Sequence, residues 1–566
     1  MQVLRAGGNA VDAAITSTLC IGTMNMFSSG IGGGGFMIVR NPVRCSSGNA
    51  EPGISSCAEH VTVDFREMAP AKANMTMFYG DPRKSKFGGL AVGVPGEVAG
   101  LEAVWKRFGS KKPGLMWADL IEPVARLAEE GWLMSTELDR RLRLMTEYTG
   151  DFITRQPEWA AVFADPHTKE LKREGDLVKR PSYGRTLREI GKKGSDAFYY
   201  VRCNLQRNVF VPLADSLLEQ GSMAKSMSAA AQKQGGVIDP SDFAEYEVKI
   251  KPALKGDWLG RRVWTTQAPT SGPILLSVLR ILGQFSDFVS RPMHEDVLTA
   301  HRFIEASKFG AGQRTQLGDP AFLSRKALRN IHKIESSEEE STRLFRKIDD
   351  EATHAELDYY EPLFDLRDDH GTMSLSVADT NGMAVALTST VNLPFGSQVM
   401  DPESGVILND ELDDSSTPGV PNAFGLYPSP YNYPEPFKRP LSSMAPAIVE
   451  RRDGSFLIAI GGSGGSRIYG SVLQTLLNLD WGMDISDAIE HPRLHHQLLP
   501  TALSAETGYN VGVVQALKNQ KGHNYTWTPI NDAVAEIQAV MHLNFGRHSV
   551  FHAASDSRKQ GVAAAW

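Results

Sequence analysis

The chain has 566 residues, of which 42% are hydrophobic and 22% charged, and its formal net charge is −7. That balance is ordinary for a protein with a buried core and, with no basic cluster interleaved with aromatics, argues against nucleic acid as a partner. No stretch approaches roughly 18 consecutive apolar residues, which excludes a hydrophobic membrane span, and four cysteines without a Cys-x-x-Cys spacing leave no metal site to expect.

Near the start, Asn9 is placed to cap a helix whose apolar face is Ala10, Val11, Ala13, Ala14 and Ile15. Neither the charged leader nor the apolar core of a signal peptide precedes it, so the start reads as truncated. A glycine-rich segment, Ser28 to Phe36, leads into a strand and not a helix, which predicts a close-packed turn in place of a phosphate cradle. Strands are expected at Phe36 to Arg40 and at Val61 to Phe65. Cys45 and Cys57 flank the loop between them and can close it in an oxidising compartment. Asn74-Met75-Thr76 and Asn524-Tyr525-Thr526 match the glycosylation pattern, which has meaning only in a secreted protein.

The middle of the chain reads as helical: Leu120, Ile121, Val124, Leu127 and Ala128 recur at helix spacing before Gly131, and similar patterns run to about residue 330. From Lys333 to Asp369 the composition turns acidic and polar and marks a seam. Asp368-Asp369-His370-Gly371-Thr372 comes next. Ser374 to Asp379 and Met383 to Ser389 alternate around Asn381-Gly382, a hairpin signal that puts Thr372 at the head of a strand. A cut before Thr372 would place its hydroxyl and a free α-amine of pKa roughly 8 on one residue, a nucleophile with its own general base. A second hairpin is predicted across Asp453-Gly454, then a helix from Ser466 to Leu479. Helices, paired sheets and helices again point to an α/β fold of layered αββα packing.

Downstream of Thr372, Thr390 and Asn392 put a hydroxyl and an amide at the end of the hairpin. A substrate with a free amino-acid head needs opposite charges or donors for its ammonium and its carboxylate. Glu411 and Asp414 suit the ammonium, and Arg66, Ser442 and Ser443 suit the carboxylate. Taken singly, each reads first as a turn, a cap or a structural ion pair. Gly461 to Gly465 matches a Gly-x-Ser-x-Gly elbow, making Ser463 a rival nucleophile with Asp484 or Asp487 and His491, His495 or His496 in the order of a serine hydrolase. The elbow normally crowns a parallel sheet, whereas this strand follows a hairpin turn. In either reading, the N–H groups of Gly464 and Gly465 at a helix N-terminus suit an oxyanion.

With these residues in place, the chain resembles a γ-glutamyltransferase (γ-glutamyltranspeptidase), one of the N-terminal nucleophile hydrolases. The likeness runs from Gly7-Gly8-Asn9-Ala10-Val11-Asp12-Ala13-Ala14 to Ala553-Ala554-Ser555-Asp556-Ser557-Arg558-Lys559. Between them, Ser29-Gly30-Ile31-Gly32-Gly33-Gly34, Arg66-Glu67-Met68-Ala69-Pro70, Gly93-Val94-Pro95-Gly96, Asp369-His370-Gly371-Thr372, Asp413-Asp414 and Pro440-Leu441-Ser442-Ser443-Met444 stand in the family's order. The resemblance implies a four-layer αββα sandwich and self-cleavage between Gly371 and Thr372. Residues 1–371 and 372–566 would then stay together as a large and a small subunit. It implies attack by Thr372 on the γ-glutamyl bond of glutathione or a related donor, with transfer to water or to an amino acid or peptide, and no cofactor. Thr390 would orient the nucleophile, and Asn392, Glu411 and Asp414 would hold the α-ammonium. Arg66, Ser442 and Ser443 would hold the α-carboxylate, and Gly464 and Gly465 would supply the oxyanion donors.

Ser374 stands where many relatives carry His, and Leu393-Pro394 replaces a segment that sets an aromatic over the pocket in some. Cys20 sits where some relatives pair it with an upstream cysteine. Relatives carry a secretory leader or membrane anchor that would lie before Met1, so a secreted, vacuolar or anchored location is implied for the full-length form. A serine hydrolase using Ser463 and an uncleaved, non-catalytic binder of glutamate or glutathione are the competing expectations.

Overall fold

The computed structural model describes residues 1–45, 54–202, 218–220, 222–365, 371–423, 425–530, 535–545 and 548–565. Eleven of its strands build two sheets: β1 Gly34–Val43, β2 Cys57–Phe65, β3 Lys249–Pro252, β4 Leu254–Trp258, β5 Arg261–Thr265, β6 Met373–Ala378, β7 Ala384–Thr390, β8 Ala447–Glu450, β9 Phe456–Ser463, β10 Glu536–Phe545 and β11 His548–Ser555. Sheet I runs β6-β7-β1-β2-β3 and sheet II runs β11-β10-β9-β8-β5-β4. Every neighbouring pair in both is antiparallel. The main helices are α1 Ala10–Met24, α2 Glu97–Phe108, α3 Trp117–Glu130, α4 Pro181–Lys193, α5 Gly272–Leu282, α6 Val297–Arg314 and α7 Ile468–Asp480.

Period-two alternation sorts the strands into layers. Met37, Val39 and Val63 face Val11, Leu101, Ile121 and Leu187 of α1 to α4, while Ile38, Ala384 and Ala386 meet Ile448, Ala459 and Val540 of sheet II. The far side of sheet II, with Val449, Ile458 and Ile460, packs on Leu275, Phe303 and Leu473 of α5 to α7. The result is the four-layer αββα sandwich. Both expected hairpins form, around Gly382 (φ +82°) and Gly454 (φ +81°). The middle region is not helical throughout: Lys249 to Thr265 supplies β3, β4 and β5, an edge strand of sheet I and two strands of sheet II. These strands are short and carry lysines and arginines on their open sides, so no apolar alternation betrays them. Part of the acidic seam is also folded, with Leu344 and Tyr360 buried, while Asp368, Asp369 and His370 lie outside the described residues.

Local chemistry ties the first helix to the turn of the β6–β7 hairpin. Asn9 Oδ1 accepts from Asp12 N at 3.0 Å and Asp12 Oδ2 accepts from Asn9 N at 3.1 Å, a reciprocal cap. Asp379 in the β6–β7 turn accepts from Ala10 N at 3.0 Å as well as from Asn381 N and Met383 N. The glycine run is a close-packed turn: a Cβ on Gly33 would lie 1.9 Å from Thr390 O, and one on Gly35 2.1 Å from Thr388 O. Cys45 and Cys57 are bonded, with their Cα atoms 5.3 Å apart. Asn74 and Asn524 are both exposed. Among the described residues no helix is long and apolar enough to cross a membrane.

At the end of β1 remote from Gly34, Arg40 bolts the sheets together. Its Nε donates to Glu450 Oε1 at 2.8 Å, and its Nη1 and Nη2 donate to Gly382 O at 2.6 Å and Gly454 O at 2.8 Å, the two hairpin turns. His60 and Trp264 complete the shell of Glu450. Removing one member of a buried pair leaves the other unmatched. Arg40→Met is therefore expected to lower stability by about 3–5 kcal/mol, read from urea denaturation, and Arg40→Met with Glu450→Met to recover part of it. A single substitution that leaves the denaturation midpoint unchanged would remove this pair from the account.

Candidate active site

Thr372 precedes β6 and is buried, with 6% of its surface exposed. Pairing of Met373 with Ser389 across the hairpin brings it beside the end of β7. Its hydroxyl donates to the carbonyl of Gly371, the peptide unit immediately before it. Thr390 Oγ1 donates to the same oxygen at 3.1 Å and itself accepts from Asn392 N at 2.7 Å. Gly371 has φ +58°, and a Cβ there would lie 1.8 Å from Asn392 O, so no other residue fits. Asn392 is also left-handed, at φ +73°, and its Nδ2 donates to Asp410 O at 3.2 Å.

Arg66, directly after β2, is 1% exposed. It forms ion pairs with Glu411 and, at 2.5 Å, with Asp414; its remaining donors reach Leu441 O at 2.9 Å and Pro440 O at 3.4 Å. Glu411 and Asp414 sit in one 3-10 turn, Glu411–Asp414, that Asn409 sews down: its side chain donates to Gly32 O and Gly93 O, both at 2.8 Å. The expected partition, acids for the ammonium and arginine for the carboxylate, is thus not the resting arrangement. The guanidinium lies between the two carboxylates, one cation against two acids.

Burial opposes the Arg66 charge, but Glu411, Asp414 and Glu67 more than offset it and hold its pKa above the usual value. Burial also pushes the Glu67 carboxyl up to about 7 against the pull of Arg66, and pushes Glu411 and Asp410 well above the carboxylate range, with neighbouring acids adding to the effect.

Ser442 and Ser443 are buried in the Pro440-to-Met444 loop. Ser442 Oγ accepts from Met444 N at 3.2 Å, and Ser443 Oγ accepts from Arg314 Nη2 at 2.6 Å. Gly464 and Gly465 follow β9 with φ of +112° and +61° and open the 3-10 turn Gly465–Arg467 that leads into α7. Phe36 packs with Met444 and Ile468, which brings this turn to the end of sheet I that holds Thr390. Among the described residues no hydrogen bond joins the glycine pair to Thr372. A cavity of about 960 Å³ reaches Gly371 and Thr372 from the open edge of β6, past Lys86, Phe87, Tyr148, Leu393 and Pro394. Arg66, Glu411 and Asp414 do not line it; they are closed on one another.

Ser463 does not have the surroundings of an elbow nucleophile. It lies on β9, antiparallel to both neighbours, and the left-handed residue is Gly464 and not the serine. Its hydroxyl donates to Glu536 at 3.3 Å. Asp484 is spent as a helix cap, His495 contacts Gln497, and His496 Nδ1 accepts from Leu498 N. One group could hold a cation by composition: His301, Glu305 and His523. The two histidines engage each other, with His301 Nδ1 2.8 Å from His523 Nε2, and Glu305 accepts from Thr353, Tyr360 and, at 3.2 Å, Lys308 Nζ, an ammonium that opposes a metal ion.

Sequence reasoning missed Glu67, Asn409 and Arg314. Glu67 lies inside the quoted Arg66-to-Pro70 motif and Asn409 shortly before Glu411, so both carried a signal by position; Arg314 lies at a helix end with none.

The γ-glutamyltranspeptidase family model matches residues 1–566. The chain is 38% identical to glutathione hydrolase proenzyme 1 of Schizosaccharomyces pombe, over 100% of this chain and 82% of that protein. It is 31% identical to the glutathione hydrolase proenzyme of Escherichia coli, over 99% and 88%. Among solved structures it is similar in fold to a cephalosporin acylase from Bacillus halodurans, with TM-score 0.78 and 21% identity over 100% and 93% of the two chains. It is also similar to Helicobacter pylori γ-glutamyltranspeptidase, with TM-score 0.50 and 27% identity over 62% and 89%. A family model matched over the whole chain, with relatives 38% and 31% identical over nearly all of it, leads to one conclusion: the chain belongs to the γ-glutamyltranspeptidase family.

Proposed function

We propose that the protein is an autoprocessed γ-glutamyl hydrolase and transpeptidase acting on glutathione and related γ-glutamyl compounds. The observation that carries this is the convergence of two hydroxyls, Thr372 and Thr390, on the carbonyl of Gly371. Attack by Thr372 Oγ on that carbon would convert the amide to an ester while the nitrogen of Thr372 takes a proton. Water then splits the ester and releases Thr372 with a free α-amine. Thr390 donates to the oxygen on which negative charge develops.

In turnover, the α-amine takes the hydroxyl proton as Thr372 Oγ attacks the γ-carbonyl of the donor, and returns it to the departing amine. The N–H groups of Gly464 and Gly465 are assigned to the tetrahedral oxyanion. Water or an acceptor amine releases the γ-glutamyl ester. The donor head opens the resting ion pairs: its ammonium takes Glu411 and Asp414 with Asn392, and its carboxylate takes Arg66 with Ser442 and Ser443. The donor head is a zwitterion, so its entry adds no net charge to the buried site.

Residues 1–371 and 372–566 are assigned as the two subunits. Interleaving favours their staying together, since β7 pairs with β1 in sheet I and β8 with β5 in sheet II. The bonded cysteines and the exposed Asn74 and Asn524 favour an exported protein, glycosylated at those sites.

Thr372→Ala is expected to stay uncut on denaturing gels and to be inert toward γ-glutamyl-p-nitroanilide, whereas Ser463→Ala is cut and active; the reverse pattern moves the nucleophile to Ser463. Thr390→Val should slow self-cleavage by about a hundredfold, the size of losing one oxyanion donor, in a time course of band conversion. A pH effect follows from Glu67. Its carboxyl is neutral below about 7 and gains charge above it, and that charge favours a bound ammonium. The donor KM should therefore fall as pH rises through about 7. Glu67→Gln should flatten the profile; the same limb in that variant assigns it to another group.

A further inference from the structure

The charges around the proposed donor head do not balance with Arg66 alone. All three of its nitrogens are engaged, by two carboxylates and by two carbonyls of the Pro440-to-Met444 loop. A substrate carboxylate that competes for this guanidinium must displace carboxylates already held in a buried, low-dielectric setting, where they bind tightly. A second cation at the opposite side of the same loop would tilt that exchange.

Arg314 is that cation. It is the last residue of α6 and is 4% exposed. Its Nη2 donates to Ser443 Oγ at 2.6 Å and its Nε to Ser271 Oγ at 3.2 Å. Ser271 in turn donates its hydroxyl to Ser442 O at 3.0 Å and its N–H to Met444 O at 3.0 Å. The Ser442-Ser443 step is thus held from behind by one arginine and its serine relay, while Arg66 holds Pro440 and Leu441 ahead of it. Because Ser443 Oγ accepts from a guanidinium, the hydroxyl's own proton turns away from Arg314, and the cation polarises it as a donor.

We infer that Arg314 is a positioning residue for γ-glutamyl donors: it orients Ser443 and supplies, through it, the second positive charge that recognises the α-carboxylate. This rests on the γ-glutamyl reading of the site. It predicts an effect confined to ligands that carry the carboxylate, which a merely structural arginine would not produce.

The test compares glutamate with 4-aminobutyrate, which lacks only the α-carboxylate, as competitive inhibitors of γ-glutamyl-p-nitroanilide hydrolysis. In Arg314→Gln the inhibition constant for glutamate should rise by about tenfold or more, the size of a lost hydrogen bond to a charged group. That for 4-aminobutyrate should change by less than about twofold, and the donor should show a raised KM with kcat nearly kept. Arg314→Lys keeps the charge without the fork and should lie between. It also decides the matter alone if the glutamine variant does not fold. Adding Ser443→Ala to Arg314→Gln should raise the glutamate constant little further, since the two act as one unit. Equal rises for both inhibitors, or no rise in either arginine variant of an active enzyme, overturn this inference while leaving the γ-glutamyl reading in place. An unaltered enzyme that turns over no γ-glutamyl donor overturns both.

Discussion

Gly371 is wedged: its backbone is left-handed, and the carbonyl of Asn392 fills the space a side chain would need. Everything at Thr372, the proposed nucleophile, depends on that fit. It turns the carbonyl of Gly371 toward the hydroxyls of Thr372 and Thr390, so a bond at the head of a strand is aimed at the residue that would cut it. The wedge is itself held. Asn392 is left-handed, its N–H is spent on Thr390, and Asp410 anchors the following N–H of Leu393 at 2.9 Å. Asp410 N returns a hydrogen bond to Val391 O at 3.2 Å. The acidic turn that carries Glu411 and Asp414 therefore also braces the Gly371–Thr372 bond, which in the proposed reading would couple substrate recognition to processing through a few backbone bonds.

The charged residues obey a different constraint. Arg66, Glu67, Glu411 and Asp414 are too deeply buried to be solvated, so each has to be matched or neutralised. Arg66 pairs with Glu411 and Asp414, one acid more than its charge, and burial pushes the Glu411 carboxyl well above the carboxylate range and that of Glu67 up to about 7, toward their neutral forms. The ions are one another's partners and close the pocket between them. Such pairing suits a zwitterionic ligand, which offers one charge of each sign at the spacing of a single carbon atom and can replace the internal pairs without leaving an ion exposed.

Much of this was legible in the chain. The Asn381-Gly382 turn predicted the hairpin that carries Thr372, and Asn9 predicted the start of α1, because turn and cap signals are local and chemical. The glycine run was readable as close packing, although its partners, Thr390 O and Thr388 O, come from strands far away in sequence. β3 to β5 were not readable. Their residues gain strand character only by pairing with β2 and β8, a tertiary effect that no window of sequence contains. The same holds for Arg314: nothing near it in sequence is unusual, and its meaning comes from Ser443, well over a hundred residues away. Ser463 shows the opposite error. Its motif is complete, but antiparallel neighbours and a carboxylate partner deprive it of the geometry the motif presupposes.

Topology shows how such a chain would tolerate the proposed break beside its own core. β6 is an edge strand of sheet I, so freeing its N-terminal end disturbs no strand beyond it. β7, one strand further in, is bonded to β1 along seven residue pairs, from Gly34 with Thr390 to Arg40 with Ala384. Sheet II is shared in the same way where β8 lies on β5. A cut at Gly371 thus severs connectivity at an edge while two antiparallel seams, buried under helices on both outer faces, keep the pieces in register. Had Thr372 headed an interior strand, the freed end would have had neighbours on both sides and no space in which to act as a base. The edge position would supply tolerance for the proposed cleavage, and it supplies the open flank from which the cavity reaches the threonine.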